Sequence, residues 1–142
     1  MRAQEQIPTT ERLFRRLRPD HFIGRQVLPE AVDLRGSSCD REAYRKPEQL
    51  VTAEWPGVAY TTTGDLPRAV APTKEPPTWE YFSVDLPLES NDAHCEVRLR
   101  RSGRTEDAND TNAINKRPRL VREELKAALA GSLRLLLPPT GL

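Results

Sequence analysis

The sequence lacks a long apolar run, and its longest stretch of this kind is LRLLL at 133–137. A membrane-spanning helix needs about 20 consecutive apolar residues, so we expect no membrane span. The first ten residues, MRAQEQIPTT, also lack the apolar centre of a secretory signal peptide. These absences predict a cytoplasmic protein with no membrane partner.

Cysteine, histidine and aromatic residues are also scarce, with two Cys, two His, two Trp, three Tyr and three Phe. The two cysteines are far apart in the chain and form no CxxC pair, which argues against a disulfide framework or a zinc ribbon. A mixed metal site would have to use His21, Cys39, His94 and Cys95, which lack any known ligand spacing. We therefore expect no metal and no cofactor.

Apolar content is low for a folded chain, with a mean hydropathy of −0.68 and 13 prolines in 142 residues. This composition predicts a single domain over 9–138 that carries long polar loops, preceded by a flexible lead-in at 1–8. Proline-rich residues 65–78 and polar residues 102–116 are expected to be mobile loops.

Charge is nearly balanced at +1, so no overall field attracts the protein to nucleic acid or to an anionic membrane. The basic side chains are nevertheless 18 Arg and only 4 Lys. Arginine, alanine and proline are all favoured by GC-rich genomes, so we expect a bacterial source.

Three segments have helical patterns. In residues 10–18 apolar positions recur at i, i+1 and i+4, and 47–55 begins with a proline at the first helical position. Residues 118–131 also begin with a proline and end at a glycine. The buried stripe of this last helix is predicted to be Val121, Leu125, Ala128 and Leu129.

Strand patterns occur at 31–34, 57–65, 79–87 and 93–101. Residues 133–137 fit either a last strand or a continuation of the C-terminal helix. The sum is an α+β fold: a small antiparallel sheet of three to four strands with two to three helices. One of these, the amphipathic C-terminal helix, is expected to pack on the sheet, with long proline-rich and polar loops around it.

Residues 93–101, AHCEVRLRR, combine the residue types of a reactive site in one strand. Because side chains alternate between the two sides of a strand, Cys95 is expected to be buried with its apolar neighbours. Cys39, in the polar segment GSSCDRE, is expected to be exposed. The other side of the 93–101 strand would present His94, Glu96, Arg98 and Arg100.

This polar face contains the groups that metal-independent RNA cleavage needs: a base, an acid and a cation for the phosphate. It resembles in kind the Glu, Arg and His residues that small microbial ribonucleases carry on an antiparallel sheet. His21 would join this site only if it folds back near His94. Ser90 and Asp92 complete a nominal triad with His94, but all three belong to one turn, whereas a triad assembles from separate elements.

Basic residues that would contact nucleic acid form three groups along the chain. They are Arg12, Arg15 and Arg16, then Arg98, Arg100, Arg101 and Arg104, then Arg117 and Arg119. Few aromatic residues are left to accompany them outside the core.

No catalytic signature such as a P-loop, GxGxxG or HExxH occurs in the chain. We expect a non-catalytic bacterial accessory, immunity or regulatory subunit that binds a larger protein. The alternative hypothesis is a metal-independent ribonuclease or RNA-binding module that uses the polar strand face.

Overall fold

Six antiparallel strands form the main sheet of this computed structural model, which describes residues 1–72 and 78–138. The strands lie in the order β6-β7-β4-β1-β5-β8. Their bounds are β1 (Arg12–Leu17), β4 (Ser37–Arg41), β5 (Gly57–Thr62), β6 (Trp79–Asp85), β7 (His94–Arg101) and β8 (Arg134–Leu137). A separate two-stranded ribbon contains β2 (Phe22–Ile23) and β3 (Gln26–Val27), and the helices are α1 (Thr111–Asn115) and α2 (Arg119–Ser132).

The predicted sheet of three to four strands with two to three helices is therefore wrong, because sheet dominates the described part of the chain. Residues predicted as a helix at 10–18 contain β1 instead. Leu13 and Leu17 join the core on one side of the sheet, and Phe14 packs on the other side. The apolar spacing that suggested one face of a helix therefore belongs to a strand with buried side chains on both faces.

Two further assignments are wrong. Residues 47–55 contain only the 3₁₀ turn Pro47–Leu50, and the strand expected at 31–34 lies at β4. In β4 the buried side chains include Ser37 and Arg41. Polar residues of these types are usually exposed. Because they occupy buried positions here, the sequence of β4 shows no alternation of apolar and polar residues.

The core lies between α2 and one face of the sheet, called here the inner face. Val121, Leu125 and Leu129 of α2 are buried in the same cluster as the sheet residues Val97 and Leu99. Residues 133–137, which fitted a strand or a helix, contain β8. None of the described helices is long and apolar enough to cross a membrane.

The opposite, outer face of the sheet is partly covered by the segment that links β4 to β5. Leu50 of this segment is fully buried against Phe14 and Val58. This cluster lies on β1 and β5, so the polar side chains of β7 are outside it.

The segment after β5 reaches the far edge of the sheet, where the backbone N–H of Tyr81 donates to the carbonyl of Pro67. Val70 and Trp79 form a bridge beside it. Residues 73–77 of the predicted mobile loop 65–78 lie outside the described residues. The other predicted mobile loop, 102–116, includes α1, and its mobility stays a prediction. The flexibility predicted for 1–8 stays a prediction, although Ile7 is buried there.

Candidate functional site

The polar side chains of β7 alternate with buried ones, as the sequence pattern predicts. His94, Glu96, Arg98 and Arg100 are partly exposed, whereas Cys95, Val97 and Leu99 are at most 2% exposed. The expected polar face therefore exists on the outer side of the sheet.

Arg98 is engaged within the protein. Its Nε donates to Glu96 Oε1 at 2.9 Å, and its Nη1 donates to the carbonyl of Asp107 at 2.7 Å. Glu96 Oε1 also lies 2.8 Å from the position that a Cβ at Gly36 would occupy, where φ is +125°. The Glu96–Arg98 pair therefore holds the loop that contains Asp107, and Glu96 leaves no room for a side chain at position 36.

Arg100 repeats this arrangement one step along the strand. Its Nε donates to Glu80 Oε1 at 2.9 Å and its Nη1 to the carbonyl of Glu106 at 2.7 Å. Its guanidinium lies 3.9 Å from the ring centre of Phe82. Arg98 and Arg100 thus anchor the loop at 102–110. Both guanidiniums already have partners within the protein, so neither is free to bind a phosphate.

His94 has a defined orientation. Its Nδ1 lies 2.8 Å from the carbonyl oxygen of Leu86. A carbonyl only accepts hydrogen bonds, so Nδ1 carries the proton in the neutral ring and Nε2 keeps its lone pair. Nε2 lies 3.5 Å from the hydroxyl oxygen of Ser38 on β4.

His94 and Ser38 line a cavity of about 300 Å³, called here the β1–β4 cleft. Its other lining residues are Phe14, Arg15, Arg16, Cys39, Asp40, Trp55 and Asn91. The cleft follows from the short pairing of β1 with β4, which covers only Leu13–Arg41 and Phe14–Asp40.

Arg15 occupies the place where the pairing of β1 and β4 ends. Its Nη1 donates to the carbonyl of Ser38 at 2.7 Å and its Nε to the carbonyl of Ala31 at 3.0 Å. Backbone oxygens that would otherwise lack a strand partner are satisfied in this way. The side chain of Arg16, the next residue, makes no hydrogen bond or ion pair with any described residue, and its Nε is buried.

His21 lies near this cleft without lining it. Its ring centre is 6.1 Å from that of Trp55, and its Nδ1 accepts the backbone N–H of Arg18 at 3.0 Å. Burial lowers the pKa of His21. Its contacts support the turn and Trp55, and they do not bring it into the Glu96–Arg98 pair.

The basic residues predicted to contact nucleic acid are distributed over several elements, and most have partners. Arg12 binds Glu42, Arg104 lies 3.8 Å from Asp110, and the guanidinium of Arg101 lies 5.8 Å from the Trp79 ring centre. Arg117 also has a partner, and Arg119 is exposed. Of these basic residues, Arg16 is the one that lines a cavity while its side chain has no described partner.

Both cysteines are buried on the inner face, which corrects the expectation that Cys39 is exposed. Burial raises the pKa of the Cys39 thiol to about 11.

Within residues 1–72 and 78–138, no group of three His, Cys, Asp or Glu side chains is placed to hold a metal ion.

A buried ion network is the main polar feature that sequence reasoning missed. Asp85 accepts bonds from Arg2 Nη1 at 2.6 Å and Nη2 at 2.8 Å, and its Oδ1 lies 3.3 Å from Arg41 Nη1. Arg41 also binds Glu11 and Glu5 at 2.8 Å each. The only sequence signal was an aspartate on the same side of its strand as Trp79 and Tyr81. This network joins the N-terminal segment to the sheet.

Comparison of the chain with protein-family models, with curated proteins and with solved structures finds no match in any of the three.

Proposed function

We propose that this chain is a non-catalytic bacterial protein of the cytoplasm that acts as an accessory, immunity or regulatory subunit by binding a larger protein. The observation that carries this proposal is the role of Arg98 and Arg100. Both guanidiniums hold the loop at 102–110, whereas a phosphate-cleaving site would leave at least one cation free to face its substrate.

The anchored loop, residues 102–110, has the properties of a binding surface. Residues 102–108 are exposed, yet the loop is tied down by Arg98, by Arg100 and by Asn109. Asn109 accepts the backbone N–H of Leu99 at 2.7 Å and donates to the carbonyl of Leu34 at 2.9 Å. A surface whose backbone is held by such bonds loses less conformational entropy on binding than one without them.

The exposed side chains of this loop include Glu106 and Asp107, whose backbone carbonyls face the arginines. Acidic groups at an interface select a basic partner surface and raise the rate of encounter. We therefore infer a partner with a basic patch.

The test begins with the tagged chain purified from its source cells and a partner that copurifies in a fixed ratio. In the reconstituted complex, amide hydrogen exchange should slow at 102–110. The double variant Glu106→Lys/Asp107→Lys should weaken binding about tenfold or more, and the matched reversal Glu48→Lys/Glu54→Lys, at exposed acids elsewhere, should not. Protection confined to another surface would refute the role of the loop.

The alternative, RNA cleavage, keeps one supporting observation, namely that His94 presents Nε2 to a cavity that also contains Arg16. Incubation of the purified chain with generic RNA without added metal, at low and high salt, tests it. Robust cleavage that His94→Ala abolishes would replace the proposal of a non-catalytic protein.

A further inference from the structure

The β1–β4 cleft has no role in the proposed protein contact. Its volume of about 300 Å³ lies at the small end of the range for ligand sites. A ligand of this size is comparable to a single nucleotide or to one residue of a longer chain. Its lining contains arginine, aromatic and hydrogen-bonding side chains.

The charge of the cleft favours an anion. Arg16 lines it, its side chain has no hydrogen bond or ion pair with any described residue, and its Nε is shielded from water. A ligand oxygen beside the terminal nitrogens of this guanidinium would form a charge-assisted hydrogen bond, which is stronger than a neutral one. Arg15 lines the cleft too and donates only to neutral carbonyls.

Among the described residues that line the cleft, Asp40 is the one acid, and it is already engaged. Its Oδ1 accepts a bond from Asn91 Nδ2 at 2.7 Å. Asn91 Oδ1 in turn accepts from Arg45 Nη2 at 2.9 Å. Asp40 is thus neutralised by its neighbours' hydrogen bonds, and the charged group of the cleft without a described side-chain partner is the Arg16 guanidinium.

An aromatic wall adjoins the cationic one. Trp55 is partly exposed in the cleft, and the buried ring of Phe14 also lines it. Trp55 is held by Arg18, whose guanidinium is 4.6 Å from its ring centre, and by the tilted ring of His21. A supported indole beside a cationic group is the combination on which proteins stack nucleobases.

The polar edge of the cleft consists of Ser38 and His94. Because the proton of neutral His94 is used by the carbonyl of Leu86, its Nε2 is an acceptor, while the Ser38 hydroxyl both donates and accepts. Ribose hydroxyls and base edges carry the complementary groups.

We propose that the β1–β4 cleft binds a nucleotide, with the phosphate on Arg16 and the base against Trp55. A free nucleotide and one residue of single-stranded nucleic acid share this chemistry. The proposal stands independently of the protein partner, because Arg98, Arg100 and the anchored loop take no part in it.

Tryptophan fluorescence and calorimetry on the full chain test this site directly. The chain has two tryptophans, and Trp79 is only 1% exposed, so a ligand that stacks in the cleft changes the emission of Trp55. The probes are AMP, GMP, CMP and UMP, then adenosine, inorganic phosphate and a single-stranded oligonucleotide of about eight residues. We expect saturable quenching by at least one nucleotide and about tenfold weaker binding of adenosine and of phosphate, since each lacks one half of the recognised chemistry.

Two variants locate the bound ligand. Arg16→Ala should weaken nucleotide binding about tenfold to hundredfold, whereas Arg16→Lys should lose less because it keeps the charge. Arg35→Ala removes the same charge at an exposed site outside the cleft and should bind normally. Trp55→Leu should also weaken nucleotide binding, and calorimetry measures this loss because the variant lacks the fluorescent reporter. In the unmodified chain, nucleotide should shift the amide or imidazole NMR signals of Ser38, Asn91 and His94. This measurement does not depend on any variant being able to fold.

The outcomes are distinct. Equal affinity for a mononucleotide and for the oligonucleotide supports a free nucleotide, and much tighter oligonucleotide binding supports a strand as the source. Inorganic phosphate that binds as well as any nucleotide overturns the role of Trp55. The absence of saturable binding by every probe, or binding that Arg16→Ala leaves unchanged, overturns the proposal. None of these results bears on whether a protein partner contacts the anchored loop.

Discussion

Cys39 of β4 and Cys95 of β7 lie directly opposite each other in the antiparallel register of the sheet, with no disulfide between them. Their exposed fractions are 5% and 0%, on the face that α2 covers. Two residues that are far apart in the sequence thus share one buried environment, which local polarity around Cys39 did not indicate.

The first prediction concerns these thiols. Burial raises the pKa of Cys39 to about 11 and that of Cys95 well above its ordinary value, so few thiolates exist at neutral pH. Both cysteines should react slowly with a thiol reagent in the native state and rapidly in denaturant, as followed by mass spectrometry. Fast native labelling of Cys39 alone would mean that β4 is not oriented as described.

The second prediction concerns the buried network. Asp85→Ala should lower the free energy of unfolding by about 3–5 kcal/mol, because it leaves the buried Arg41 and the nearby Arg2 without their shared acceptor. Denaturant titration measures this loss. Asp92→Ala, at an exposed position nearby, is the control and should change stability little. A small effect of Asp85→Ala would contradict a closed network.

The same residue predicts acid sensitivity. Burial opposes ionisation of Asp85, but hydrogen bonds from Arg2, from the Glu5 backbone and from Arg41 outweigh it, so its pKa is lowered from 3.8. A carboxyl with a lowered folded pKa stabilises the fold above its unfolded pKa, and this contribution is lost as the pH falls through the folded value. Stability measured below about pH 4 should therefore fall less steeply in Asp85→Asn than in the unmodified chain.

A fourth prediction tests the orientation of α2. Leu125→Asp places a charge at a position with 0% exposure and should leave the protein unfolded or insoluble. Leu120→Asp, in the same helix at 77% exposure, should melt like the original chain. Thermal melts followed by circular dichroism compare them. Equal tolerance of both substitutions would show that α2 does not pack through Leu125.

The last prediction concerns the anchored loop. Arg98→Ala removes bonds to Glu96 and to the carbonyl of Asp107, so residues 102–110 should become sensitive to limited proteolysis. The melting temperature should change little, because the core does not contain this side chain. Arg119→Ala, exposed at the start of α2, should leave proteolysis unchanged. Unaltered cleavage in Arg98→Ala would mean that the loop is held mainly by Asn109.

Some assignments depend on local pattern, and these were accessible from the sequence. Strict alternation over 93–101 predicted both faces of β7, and apolar spacing after Pro118 predicted α2. The pattern at 10–18 was ambiguous, because a strand with Leu13 and Leu17 on one side and Phe14 on the other produces the same spacing as a short helix. Strand β4 had no apolar pattern, because its buried side chains include an arginine. Arg41 is paired with three acids, Glu5, Glu11 and Asp85, that come from other parts of the chain.

By itself, therefore, the sequence determined which side chains of β7 point together and where the C-terminal helix runs, because both follow from the periodicity of the backbone. Only the tertiary structure decided what those side chains do. Arg98 and Arg100 bind carbonyls that follow them in the chain, whereas Arg16 remains without a described partner in a cleft that the short β1–β4 pairing creates. Partners of this kind are set by strand order and register, and neither is encoded in the local spacing of residues.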